Sequence, residues 1–69
     1  MWTVYDHPID FPEDVVARRW ELVDGRPQPS QEVIVTPNLD ALRYYFTQIG
    51  LTKLDREPED DPTIVETWL

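Results

Sequence analysis

The sequence contains no cysteine, one histidine, two glycines and only six basic residues against 14 acidic ones. Without cysteine there is no disulfide framework and no thiolate zinc site, and His7 by itself cannot make up a structural zinc shell. No metal or cofactor is expected. Gly25 and Gly50 lie too far apart for a glycine-rich phosphate loop, and neither a G-x-S-x-G elbow nor an H-E-x-x-H helix occurs. Shortage of Lys and Arg leaves a net charge of -8. That balance disfavours direct docking on nucleic-acid backbones or anionic membranes, which need clustered cations. No stretch approaches the ~18 consecutive apolar residues of a membrane span. The segment Met1–Asp6 has neither the basic nor the apolar region of a secretory signal, so the expected location is cytoplasmic.

What is present points to a folded chain. Of 69 residues 41% are hydrophobic, including three Trp, three Tyr and two Phe, more than a disordered acidic tail carries. One domain is expected over residues 1–69. A core of this size supplies roughly 3–5 kcal/mol. With disulfides and metal excluded, close packing or self-association has to make up the difference. A homodimer is the expectation.

Seven prolines punctuate the chain. Pro8 with Pro12, Pro27 with Pro29 and Pro58 with Pro62 read as three loops, because proline donates no ladder hydrogen bond. Between them, five runs have strand composition: Trp2–Tyr5, Val15–Val23, Glu32–Val35, Leu51–Arg56 and Ile64–Leu69. One helix is predicted over Pro37–Ile49. Thr36 is its expected N-cap, Leu39, Leu42, Phe46 and Ile49 form its apolar stripe, and Gly50 supplies the left-handed stop. Leu51 should then pack back on Phe46. The order βββαββ predicts an α+β fold: one mainly antiparallel sheet, with one helix on one face and hairpins joining strands two to three and four to five.

One geometric consequence follows. A helix is about 10–12 Å across, whereas five strands span on the order of 20 Å. Neither parity of the strands is cleanly polar. Val33 and Val35 oppose Ile34, and Ile64 and Trp68 oppose Val65 and Leu69. A sheet with one wetted face should alternate instead. The uncovered face is therefore expected to meet another copy or a partner.

Few residues carry chemistry. His7, between Asp6 and Pro8, has no nucleophile or pocket in view and reads as a loop histidine. The run Asp55–Asp61 resembles the start of a calcium loop, but Asp60 falls on the sixth position, where that loop needs glycine, Glu66 falls on the twelfth, and two prolines interrupt the run. It reads as a solvated hairpin loop offering spaced negative charge. Arg18 and Arg19 point to opposite faces and should pair with Glu21, Asp14 or Glu66. Tyr44 and Tyr45 flank the helix stripe, so at least one should be exposed as an anchor. The expected partner-binding residues are Glu57, Glu59, Asp60, Asp61, Tyr44 and Tyr45, and no catalytic residue is expected.

The segments Tyr5-Asp6-His7-Pro8, Val16–Glu21 and Glu59–Leu69 resemble stretches of small uncharacterised bacterial or phage-borne proteins, a resemblance that implies no activity and no site residue. The functional expectation is a non-enzymatic module that dimerises and docks on a basic protein surface. Two alternatives are an inhibitor that mimics nucleic acid, and a small ligand-binding protein or enzyme using the His7 loop.

Overall fold

The computed structural model describes residues 1–56 and 62–69. Five strands, β1 (Trp2–Asp6), β2 (Val15–Val23), β3 (Arg26–Thr36), β4 (Lys53–Asp55) and β5 (Ile64–Trp68), form one sheet in the order β3-β2-β1-β5-β4. Every neighbouring pair is antiparallel. The expected α+β architecture, with β2–β3 and β4–β5 as antiparallel partners, is what forms. Helix α1 (Leu39–Gln48) carries the chain from one edge strand, β3, to the other, β4.

The β2–β3 turn follows from two residues. Asp24 and Gly25 both have positive φ, +52° and +76°. That pair of left-handed residues matches the right-handed twist of a two-residue hairpin. The strand then continues through Pro27 and Pro29, where the prolines predict a loop. The register explains the difference. Pro27 lies opposite Leu22 and Pro29 opposite Trp20. Trp20 turns its own N–H toward the other neighbour, donating to the Met1 carbonyl at 2.7 Å. Both prolines therefore occupy positions whose nitrogens face away from β2, on the outer edge, where no ladder bond is lost.

Residues Ser30, Gln31 and Glu32 oppose the single residue Arg19, a bulge between the Trp20–Pro29 and Arg18–Val33 pairs. Inside it the Glu32 N–H donates to the Ser30 hydroxyl at 3.0 Å. Beyond it pairing resumes with Ala17 opposite Ile34 and Val15 opposite Thr36.

Helix α1 starts later than predicted. Thr36 ends β3, and Asn38 is the cap: its side-chain oxygen accepts from the Asp40 and Ala41 N–H groups at 2.9 and 3.3 Å. The Thr36 hydroxyl accepts from the Asn38 N–H instead. The stop is as predicted. Gly50 has φ +89°, its N–H reaches the Thr47 carbonyl, and the Leu51 N–H reaches the Phe46 carbonyl at 3.0 Å. These two bonds close the helix end, and Leu51 packs on the core as expected.

The core lies between α1 and one face of the sheet: Val4, Val15, Ala17 and Trp68 below, Leu42 and Phe46 above, flanked by Trp2, Ile34, Leu39 and Leu51. The Phe46 ring sits 5.4 Å from both Trp2 and Trp68. Sharing a pleat, Thr3, Tyr5, Val16, Arg18, Val33 and Val35 point to the opposite face. Ile64 joins them. It pairs with Tyr5 while Glu66 pairs with Val4, so a shift at Val65 places Ile64 and Trp68 on opposite faces, not the same one.

Candidate functional site

The structure separates the residues expected to bind a partner. Glu57, Glu59, Asp60 and Asp61 lie outside the described residues. Tyr44 and Tyr45 are 68% and 48% exposed. Being adjacent on a helix, they leave it in different directions. The Tyr45 ring packs on Phe46 at a tilt of 50°, with centroids 5.7 Å apart, and lines a cleft; Tyr44 projects into solvent.

Most described cations are already held by carboxylates. Arg18 reaches back to Asp10 at 2.5 Å, which folds the β1–β2 loop over the second sheet face. Arg19 is shared by Glu21 and Glu32, at 3.2 and 3.3 Å, so this group keeps a net negative charge. Lys53 lies 3.6 Å from Asp55. His7 bonds its neighbour Asp6 through Nδ1, both side chains being more than half exposed. His7 lines none of the three clefts described below. Of the pairings predicted for Arg18 and Arg19, Glu21 is found, whereas Asp14 and Glu66 are not their partners. Among the described residues no group of three or more His, Cys, Asp or Glu is placed to hold a metal ion, and no helix is long and apolar enough to cross a membrane.

Glu66 is the residue the sequence reading misplaces most. It lies on the helix-covered face and is 1% exposed. Arg43 donates from Nε and Nη2 to one of its oxygens at 3.0 and 2.7 Å, and the Trp68 indole N–H donates to the other at 2.7 Å. Both oxygens are satisfied, as a buried carboxylate requires. The Arg43 guanidinium titrates above its ordinary range, chiefly because of its hydrogen bond to Glu66. This cluster ties helix to sheet. The sequence signal for it is an acidic residue two places from Trp68, on the core parity of the last strand.

Three clefts stand out among the described residues. One, of about 390 Å³, lies between α1 and the edge strand β3 and is lined by Ile34, Thr36, Ala41, Leu42 and Tyr45. Two more share Met1. One of about 580 Å³ runs over Thr3, Ile64, Thr67 and Leu54, and one of about 610 Å³ over Trp20, Leu22, Pro27 and Leu69. They lie on the face away from the helix. There Val16 and Thr3 are covered, but Val33, Val35 and Leu54 remain 39%, 42% and 43% exposed. On the same face the Trp20 indole N–H is buried and donates to no partner among the described residues.

Compared with protein-family models, curated proteins and solved structures, the chain matches none.

Proposed function

We propose that this chain is a small, cytoplasmic, non-enzymatic protein-binding module that pairs with a second copy and docks on a basic protein surface. The observation that carries the reading is the second sheet face. It presents Val33, Val35 and Leu54 well exposed, on a body measuring 35 × 27 × 25 Å. Two chains of charge -8 repel unless they meet where charge is low. This face supplies such a place, because its Arg18 is neutralised by Asp10 and its exposed apolar residues Val33, Val35 and Leu54 lie along its two margins, on β3 and β4, with Asp55 and Arg56 beside Leu54. A standard interface takes about 800 Å² per partner, roughly a sixth of the 4956 Å² surface, or one side of the molecule.

The remaining surface is net negative and suits a cationic protein better than a nucleic acid. For nucleic-acid mimicry, carboxylates would have to track one another like phosphates. Of the described ones, Asp6, Asp10, Glu13 and Asp14 gather at one end of β2, Asp24 lies at the other, about 30 Å away at the rise of an extended strand, and Glu21, Glu32, Asp40, Asp55 and Glu66 stand apart on β2, β3, α1, β4 and β5. That dispersal gives mimicry no support. Sedimentation equilibrium over about a hundredfold dilution tests the pairing. A dimer that dissociates on dilution is expected, and Leu54→Glu should leave a monomer. A wild-type chain of monomer mass at every concentration overturns it.

A further inference from the structure

The cleft between α1 and β3 adjoins the only stretch of that sheet edge that proline does not blunt, and the two together have the shape of a strand-addition site. The hydrogen-bond directions can be followed across the sheet. In β1, the Asp6 N–H donates to Thr63 in the β5 direction and the His7 N–H to Asp14 in the β2 direction. Backbone groups alternate sides along a strand. So Tyr5 and Thr3 bond to β2, through Val16 and Arg18. Val15 and Ala17 must then bond to β3, through Thr36 and Ile34. The backbone N–H and C=O groups of Val33 and Val35 are left facing outward. Pro27 and Pro29 occupy the equivalent outward positions earlier in β3, and the bulge N–H of Glu32 is taken by Ser30. One half of the edge is closed and the other half is open.

We infer that this open half binds an extended, basic, partly apolar segment of a partner protein, which adds to β3 as an antiparallel sixth strand. The mode is β-augmentation, in which main-chain bonds give affinity and alternate side chains give specificity. A residue of the added strand opposite Ile34 directs its side chain to the helix side, into the cleft formed by Ile34, Ala41, Leu42 and Tyr45. Its neighbours, opposite Val33 and Val35, exchange the main-chain bonds. Charge selects the occupant. Asp40 adjoins the cleft residue Ala41, is 91% exposed and lies 3.8 Å from an Arg43 already committed to Glu66. Glu32 stands at the other end of the open run and shares its single arginine with Glu21. Flanking lysines or arginines on the segment meet both carboxylates, whereas a second copy would bring its own excess of negative charge.

This inference rests on the basic-partner part of the proposed function and can fail separately from it. The probe is a capped peptide of alternating threonine and leucine with two lysines at each end, titrated into the ¹⁵N-labelled full chain up to about 1 mM. Binding should shift the Val33 and Val35 amides and slow their hydrogen exchange. N-methylation of the threonines should weaken binding at least about tenfold, because those residues face β3, and N-methylation of the leucines should not. Val35→Pro extends the pattern of Pro27 and Pro29, so it should keep the fold and abolish binding. Ala41→Trp fills the cleft and should do the same, with circular dichroism confirming a folded chain. Replacing the lysines with glutamates should remove binding. Binding that ignores N-methylation and Val35→Pro overturns strand addition while leaving basic docking intact. A chain that does not bind the lysine peptide overturns it as well.

Discussion

Arg43 on the helix and Glu66 on β5 form a two-bond contact through one carboxylate oxygen, while the other oxygen is taken by Trp68. The acid is 1% exposed and the base 39% exposed. Removing the base strands a buried charge, which typically costs about 3–5 kcal/mol. Because water can reach the Arg43 site, Arg43→Met should cost an amount at the low end of that range. Arg43→Met combined with Glu66→Gln should cost less than Arg43→Met alone, since the amide carries no charge. Urea unfolding of the two variants makes the comparison. The raised Arg43 pKa also fixes a sign. A cation held above its unfolded value contributes fully below the unfolded pKa and loses that contribution only as pH rises through the folded one. The deficit of Arg43→Met should therefore be constant between about pH 7 and about pH 10.

Trp20 and Trp68 differ in what their indole N–H groups meet. The Trp68 N–H bonds Glu66 at 2.7 Å, and the Trp20 N–H is buried with no partner among the described residues. Trp68→Phe should destabilise by about 1–3 kcal/mol beyond any packing loss, because Glu66 loses a donor. Trp20→Phe removes an unsatisfied donor and should cost less. Thermal unfolding of both variants reads the difference.

Two residues compete for the start of the helix. Asn38 makes the cap bonds, so Asn38→Ala should cost about 1 kcal/mol. Thr36→Val replaces a good strand residue with another and should cost less. At the other end Gly50→Ala meets no steric obstacle within 4 Å, yet φ is +89°. Its loss, about 1 kcal/mol, is conformational. Chemical denaturation of the three variants orders these effects.

The Phe46 ring is fully buried between two tryptophans. Phe46→Ala should cost about 3–5 kcal/mol, comparable to the whole stability of a core this small. The near-ultraviolet circular dichroism of Trp2 and Trp68 should collapse at 25 °C, about room temperature.

These particulars show what a sequence exposes. The stripe Leu42–Phe46, the Gly50–Leu51 stop and the Asp24-Gly25 turn act over a few residues, and each could be read directly. The proline rule failed at Pro27 and Pro29 because it assumes that the nitrogen faces a neighbouring strand, and edge position is a tertiary fact. Thr36 and Asn38 are both competent caps either side of Pro37, and only the end of strand pairing decides between them. Sequence pattern pairs Glu66 with Arg18 or Arg19 on neighbouring strands, because its partner Arg43 is 23 residues away on the helix. Strict alternation groups Ile64 with Trp68, and one shift at Val65 reverses that parity. As for the expected binding residues, helical spacing could place Tyr45 beside the stripe, but not over the cleft next to β3.

The account stands on two copies meeting at the face opposite the helix. An isotope-filtered NOE experiment on a mixture of labelled and unlabelled full-length chain tests this most directly. Intermolecular contacts are predicted among the methyl groups of Val33, Val35, Leu54 and Ile64. A concentrated sample that shows no intermolecular contact, or shows contacts only from the helix around Tyr44, would contradict it.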